Sequence, residues 1–242
     1  MLNEQFNLVV EGIIWKIYHD PCTNHFLIEN RSEAPRTSLF HLITHEGELV
    51  STWEPEEENW WFNTIIFNNL SVFLTVYENE DLPETSQLHQ YNAKNGELIT
   101  QIKNCTVSHL DEHAIHYFQQ EKKHSIQLQN CLQHSINRPF NYVKESDYFE
   151  TVRNFIEIQQ KVSPIESIEY LEHKNCIIIS YYLSDQEQNM VNYLLILDLE
   201  GTILYQDIIA KDKKGIGSDS FFIQNNQLFF TKHKTSFVCL NL

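Results

Sequence analysis

Apolar positions in this chain fall in short runs separated by polar turn residues, and three times the runs are joined in the same way. Leu39-Phe40-His41-Leu42-Ile43 turns at Glu46-Gly47-Glu48 into Leu49-Val50-Ser51-Thr52-Trp53. Leu88-His89-Gln90-Tyr91 turns at Asn95-Gly96 into Glu97-Leu98-Ile99-Thr100-Gln101-Ile102, and Tyr193-Leu194-Leu195-Ile196-Leu197 turns at Glu200-Gly201 into Thr202-Ile203-Leu204-Tyr205. Runs rich in Val, Ile, Phe and Tyr predict strands, and a polar turn closed by glycine between two of them predicts a hairpin. Gly47 and Gly96 stand about 50 residues apart and Gly201 about two such periods further on, a spacing that suits four-stranded propeller blades.

Two strands precede the Gly47 hairpin (Gly12-Ile13-Ile14-Trp15-Lys16-Ile17 and His25-Phe26-Leu27-Ile28-Glu29), which makes a first unit of four. The second unit opens on Trp61-Phe62-Asn63-Thr64-Ile65-Ile66-Phe67 and Ser71-Val72-Phe73-Leu74-Thr75-Val76-Tyr77 and ends in the Gly96 hairpin. A third, assigned on spacing, takes Thr106 to Leu110, Ala114 to Phe118 and Ser125 to Leu128. Helical period appears once, from Asp147 to Gln160, where Phe149, Val152 and Ile156 share a face, Asp147 and Glu150 mark the start and Ser163-Pro164 the stop. This helix is expected to cover a blade edge or a channel mouth. A fourth unit runs from Ser167 through Cys176 to the Gly201 hairpin, and the tail from Ser220 supplies three strands. Three strands leave an open edge, which Phe6-Asn7-Leu8-Val9-Val10 can fill. The expected fold is therefore all-β: one β-propeller-like domain over residues 1–242, with five four-stranded blades closed by the N-terminal strand and an inserted helix near 147–160. Two packed antiparallel sheets are the alternative.

Charge narrows the partners. With 17 basic against 33 acidic residues, a formal net charge of −16, the chain repels phosphate backbones and anionic lipid surfaces, so neither nucleic acid nor membrane is an expected partner. Lys211-Asp212-Lys213-Lys214-Gly215 is the one basic cluster and reads as a solvated turn. The opening residues lack a basic segment followed by an apolar run, and no apolar stretch reaches the roughly 20 residues that span a bilayer, so the expectation is a cytoplasmic protein, monomeric or weakly oligomeric. Five widely spaced cysteines (Cys22, Cys105, Cys131, Cys176, Cys239) without a C-x-x-C pair read as reduced core thiols.

The C-terminal third, with Ile168-Glu169-Tyr170-Leu171, Ile179-Ser180-Tyr181-Tyr182, Asn192-Tyr193-Leu194-Leu195 and Gly215-Ile216-Gly217-Ser218-Asp219-Ser220-Phe221-Phe222, resembles an uncharacterised bacterial family of cytoplasmic propeller-like proteins. The rest shares strand grammar with quinoprotein-type and WD-type propellers, but the Trp-Asp dipeptide of the latter is absent. The resemblance implies a fold and carries no catalytic residues.

Candidate chemistry is sparse. His109-Leu110-Asp111-Glu112-His113-Ala114-Ile115-His116 holds the densest potential metal ligands, and alternation would put His109, Asp111 and His113 on one strand face. Asp111-Glu112 also reads as a turn, which breaks that face, so the segment is taken as polar, with no metal or other cofactor expected. A glycosidase-like site needs two carboxylates facing a channel, and Glu166, Glu169 and Asp219 lie on or beside the strands that would line one. Glu54, Glu56, Glu57, Glu58 and the acids from Glu78 to Glu84 read as solvated turns. No G-x-S-x-G elbow is present, and Gly215-Ile216-Gly217-Ser218 lacks what a phosphate loop requires. Trp60-Trp61, with Trp15, Trp53 and Tyr181-Tyr182, offers an aromatic platform for a sugar or peptide, to which one of Trp60 and Trp61 would contribute. The functional expectation is a binding or protein-interaction module with Glu166, Glu169, Asp219, His109 and Trp61 as ligand-contact candidates. The alternative is a channel-centred hydrolase or lyase using paired carboxylates.

Overall fold

The structure, a computed structural model, describes residues 2–242 except 56–59, 78–85, 132–133, 186, 188, 214–215 and 218. Among the described residues it is all-β, with nineteen strands and one helix. The chain divides into two compact units, residues 10–135 and a second made of residues 1–9 with 136–242.

The first strand, β1 (Asn3–Val9), belongs to the second unit. Residues 10–135 then build two antiparallel sheets. The first contains β2 (Ile13–His19), β3 (Phe26–Glu33), β4 (Arg36–Ile43) and β5 (Leu49–Trp53) in sequence order. The second contains β6 (Phe62–Asn68), β7 (Ser71–Tyr77), β8 (Ser86–Asn92), β9 (Leu98–Leu110), β10 (Ala114–Gln119) and β11 (Lys122–Gln127), again in sequence order. Alternation along β4 sends Phe40 and Leu42 inward, and a bulge between Thr64 and Ile66 turns both Phe62 and Phe67 of β6 inward, where they join Leu27, Trp53, Val72, Leu74 and Tyr91 in one core between the sheets.

The other unit begins with β12 (Phe140–Val143) and α1 (Asp147–Gln160), then β13 (Ile165–His173), β14 (Cys176–Ser184), β15 (Met190–Asp198) and β16 (Ile203–Lys213). β12 to β16 form a five-stranded sheet. The last sheet is ordered β1, β19 (Ser236–Asn241), β18 (Gln227–Lys232), β17 (Phe221–Gln224). Ile178, Leu194 and Ile196 meet Phe221, Leu228 and Phe230 between these two sheets. Helix α1 lays Phe149, Val152 and Ile156 against Ile168, Ile179, Tyr181, Leu195 and Leu197 of the five-stranded sheet, covering its face. Its start lies at Ser146, whose Oγ accepts the Phe149 N–H at 3.2 Å, and left-handed Lys161 closes its end.

Two expectations about the ends and the turns hold. β1 completes the last sheet, with Leu8 paired to Phe237 and Val9 to Ser236. Gly47, Gly96 and Gly201 all sit in hairpin turns at positive φ, and each donates its N–H to the residue opening the turn: Thr44 (3.1 Å), Asn92 (2.8 Å) and Asp198 (3.1 Å).

The blade count differs. Among the described residues there are four sheets, of four, six, five and four strands, one of them curled into a half-barrel, where five four-stranded blades were expected. The proposed third unit is not separate. No glycine or proline interrupts Leu98–Leu110, so the second strand of the Gly96 hairpin runs on as one strand of 13 residues. Its first half pairs with β8 and its second with β10, Cys105 facing both Ser86 and Gln119. Asn104 takes a left-handed φ of 52° at the point where the partner changes, which bends the strand without ending it.

The expectation of five reduced thiols fails at one pair: Cys22 and Cys131 are disulfide-bonded, with Cα atoms 4.9 Å apart. Hydrogen bonding brings their segments together. Buried Asp20 accepts the N–H groups of Cys22 (3.0 Å), Asn69 (2.9 Å) and Leu70 (2.8 Å) and the Thr23 hydroxyl (2.6 Å). The Asn68 side chain then bonds both backbone groups of Gln129, at 3.0 and 3.1 Å. Cys105, Cys176 and Cys239 are buried free thiols, and burial pushes Cys239 up to about 12.

Two outcomes follow from this packing. A Cβ on Gly96 would stand 2.6 Å from Cβ of Trp53, whereas one on Gly201 would meet the flexible amide end of Gln159 at 3.0 Å. Both substitutions carry the left-handed backbone penalty of about 1–2 kcal/mol. Gly96→Ala adds overpacking and should cost about 2–4 kcal/mol in all, against about 1–2 for Gly201→Ala, by urea denaturation. Equal losses would show that Trp53 yields freely. Thiol titration of the unfolded, unreduced protein should find the three free cysteines, and reduction should lower stability by about 2–4 kcal/mol. Five reactive thiols before reduction would show that the bond does not form.

Candidate functional site

Three carboxylates predicted to face a channel lie in the unit of residues 1–9 and 136–242, and each has a partner. Glu166 sits at the bulge between Ile165 and Ile168 of β13 with φ at 62°, exposed, its Oε1 3.8 Å from Lys144 Nζ. Asp219, also left-handed and half exposed, meets Arg138 at 2.8 Å. Glu169 is 2% exposed. It accepts the Ser220 N–H at 3.0 Å, together with the Ser220 hydroxyl and the Asp219 N–H. The structure therefore brings Glu169 and Asp219 next to each other and leaves Glu166 apart.

Around Glu169 lies a polar network in an otherwise apolar sheet. Ser180, its partner across β14, donates to Asn192 Oδ1 at 2.9 Å and lies 3.2 Å from Ser220 Oγ. Tyr182 donates to Gly217 O and accepts from Gly217 N at 2.9 Å. Together these groups tie the residues ahead of β17 down onto the five-stranded sheet. Burial raises the Glu169 carboxyl above the usual range, outweighing the three donors that favour its anion, and the Asp219 charge adds to the rise. Tyr182 is buried and its phenol is likewise raised, so Tyr181-Tyr182 is core rather than platform, and burial pushes Tyr181 up to about 12.

The tryptophans separate into two roles. Trp53 is core: its ring stacks on Phe40 (4.6 Å) and Tyr91 (5.4 Å) and its indole N–H donates to Ala93 O at 2.9 Å. Trp15 on β2 is 63% exposed and Trp61, just before β6, 43%. Between Trp15 and Trp60 lies a side chain that sequence reasoning passed over. Arg31 on β3 places its guanidinium carbon 4.9 Å from the Trp15 ring, 5.4 Å from Trp60 and 4.6 Å from Phe62. Buried Glu29, two residues earlier on the same face, holds it at 2.6 Å, and Arg31 also donates to Phe62 O at 3.1 Å. The second oxygen of Glu29 accepts from Tyr18 (2.9 Å) and Thr64 (3.0 Å). Burial first, then the Glu29 charge, lifts the Tyr18 phenol far above its ordinary range, so it stays a donor. The result is an anchored cation with an exposed indole on its outer side. The i, i+2 spacing of Glu29 and Arg31 was the available signal, but only folding brings Trp15, at the β2 bulge, and Trp60, ahead of a strand of the other sheet, to them.

The histidine segment is a hairpin. Asp111 lies between β9 and β10, and Asp111 Oδ1 accepts the N–H groups of His113 and Ala114, both at 2.8 Å. His116 pairs across the strands with His109, their rings stacked 4.2 Å apart, and its Nε2 lies 2.8 Å from Asp111 Oδ2. Those bonds hold the Asp111 carboxyl down to about 2. His113, in the turn after Asp111, is not part of that group, because the turn interrupts alternation.

Lys211 lines an open recess of about 320 Å³ with Ala210, His233 and Lys234, while residues 214–215 of the basic cluster lie outside the described residues, as do Glu56, Glu57, Glu58 and the acids from Glu78 to Glu84. Compared with known proteins, the chain matches no protein family and no curated protein. Among the described residues no helix is long and apolar enough to cross a membrane.

Glu169 supplies a pH test. Its folded pKa lies above the unfolded one, so the folded protein binds the proton more tightly, and stability falls as pH rises from the ordinary glutamate range through the raised value. Glu169→Gln should remove that slope. Parallel urea curves for variant and wild type between pH 4.5 and pH 7, with no change in their difference, would contradict the assignment.

Proposed function

We propose that the chain is a β-propeller-like binding or protein-interaction module whose contact surface is the exposed aromatic group around Arg31, taking an exposed protein or peptide segment. One observation carries the reading: Trp15, a large ring open to solvent, is backed by a guanidinium that buried Glu29 holds in place. A preordered aromatic anchor loses little freedom on binding, and such residues dominate interface energies. Glu166, Glu169 and Asp219 each engage a partner from their own unit, which supports a structural use of these acids. The propeller-like resemblance of the C-terminal third belongs to the same reading. So do a monomeric or weakly oligomeric state and the lack of affinity for nucleic acid and membranes. A cytoplasmic location is harder to support, since the Cys22–Cys131 bond favours an oxidising compartment.

The hydrolase or lyase reading keeps one supporting observation, a buried acid with a raised pKa beside a second carboxylate. Loss of glycoside turnover in Glu169→Gln, with the fold intact, would favour it.

The module reading is tested by capture from the native extract followed by affinity measurement on the captured partner. Trp15→Ala should weaken binding about 30-fold, the loss of roughly 2 kcal/mol expected of a central aromatic anchor, while Tyr148→Ala on helix α1 changes nothing. A partner bound equally well by Trp15→Ala and Trp61→Ala overturns the assignment of the surface.

A further inference from the structure

The geometry points to a divalent transition-metal site at the β9–β10 hairpin, formed by His109, Asp111 and His116 and taking an ion of the Zn2+ class. One ligand atom from each of these side chains lies within 4.8 Å of the other two. Tetrahedral zinc with nitrogen and oxygen ligands at about 2.0–2.2 Å sets ligand atoms about 3.4 Å apart. The Asp111–His116 pair, now 2.8 Å apart, must open slightly and the remaining separations close by on the order of 1 Å, small side-chain movements at exposed His109 and Asp111 and half-buried His116.

Three features suit the group to an ion. His109 and His116 are direct cross-strand partners, so the sheet itself sets the spacing of the two imidazoles. Asp111 is oriented by the turn: Oδ1 is occupied by the His113 and Ala114 N–H groups, which leaves Oδ2 directed at His116. Two imidazoles with one carboxylate match zinc and its neighbours in preference to calcium or magnesium, which favour oxygen alone. Three protein ligands leave a fourth position for water or an incoming donor, the arrangement of a reactive rather than a purely structural centre. The site needs no part of the Arg31 surface and stands independently of the module reading.

The ligand set is distinguishable from the one simple alternation gives. Alternation selects His113, and the folded hairpin selects His116. Tag-free protein, freed of metal by chelation, is titrated with Zn2+ by calorimetry and with Co2+ by visible absorption. One tight equivalent is expected, with a Co2+ band of tetrahedral intensity. His109→Ala and His116→Ala should each weaken that equivalent about a hundredfold or more, beyond the 10–100-fold typical of losing an outer-shell partner, and abolish the band. His113→Ala and Glu112→Gln should retain it. Circular dichroism checks that each variant, including that at half-buried His116, is folded. Absence of a tight equivalent in the wild type, loss on His113→Ala, or retention in His109→Ala or His116→Ala overturns the site.

Discussion

The hydrogen bonds between Asn3–Val9 and Ser236–Asn241 are the constraint on which one of the two units depends. Without them β19 would present a row of unpaired N–H and C=O groups along a nonpolar strand whose Phe237, Val238, Cys239 and Leu240 are all buried. Such an edge recruits other chains. Pairing with the opening segment moves the edge to the more polar and more exposed β1 and makes the unit discontinuous in sequence, so residues 10–135 form a compact body inserted between its first strand and the rest. At the opposite side of the same sheet, Asn137 exchanges backbone hydrogen bonds with Ile223 at 2.8 Å in both directions, which covers part of β17. Segments distant in sequence thus flank β19 on one side and part of β17 on the other.

A protein with this excess of acids would be expected to keep them in water, and it spends three of them inside. Asp20, Glu29 and Glu169 are all nearly inaccessible, and each accepts at least three donors. The donors are mostly backbone N–H groups of turns, or hydroxyls that cross between strands. A buried carboxylate is costly unless its lone pairs are filled, and once filled it fixes the geometry of everything that fills them. Asp20 locates the turn at Asn69-Leu70, Glu29 aims Arg31, and Glu169 pins the residues leading into β17. Of the three, Glu169 alone was also a candidate for channel chemistry, and its hydrogen bonds to Ser220 and Asp219 give it this structural use as well.

The strands flanking several other hairpins were legible, but the form of their turns was not. Asn69-Leu70, Gln120-Glu121, Asn225-Asn226 and His233-Lys234 each place two successive residues at positive φ, the geometry of the tight two-residue turn whose twist matches antiparallel strands. Glycine is the usual occupant, and its absence hides such turns from a search for glycine. At Leu70 the side chain gains from partial burial in the core, and Asp20 holds both turn N–H groups, which offsets the left-handed backbone. Nothing in the local sequence at these positions announces that compensation.

What the chain determines by itself is whatever is decided within a few residues. The strand runs, the three glycine turns with their repeated hydrogen bonding, and the helix from Asp147 to Gln160 are all local, because periodicity and turn chemistry act over one or two turns of chain. The need for β1 at the far end was also legible, since a three-stranded tail cannot satisfy its own edge. Tertiary structure alone decided the rest: that β9 serves two neighbours and merges two units into one sheet, that Cys22 meets Cys131, that Arg31 lies between Trp15 and Trp60, and that His116 rather than His113 joins His109. Each of these depends on how segments distant in sequence are brought together by folding, and where strands pair, as at β9 and at His109–His116, a shift of one residue in register turns a side chain to the opposite face. Pattern within a strand carries no information about that choice.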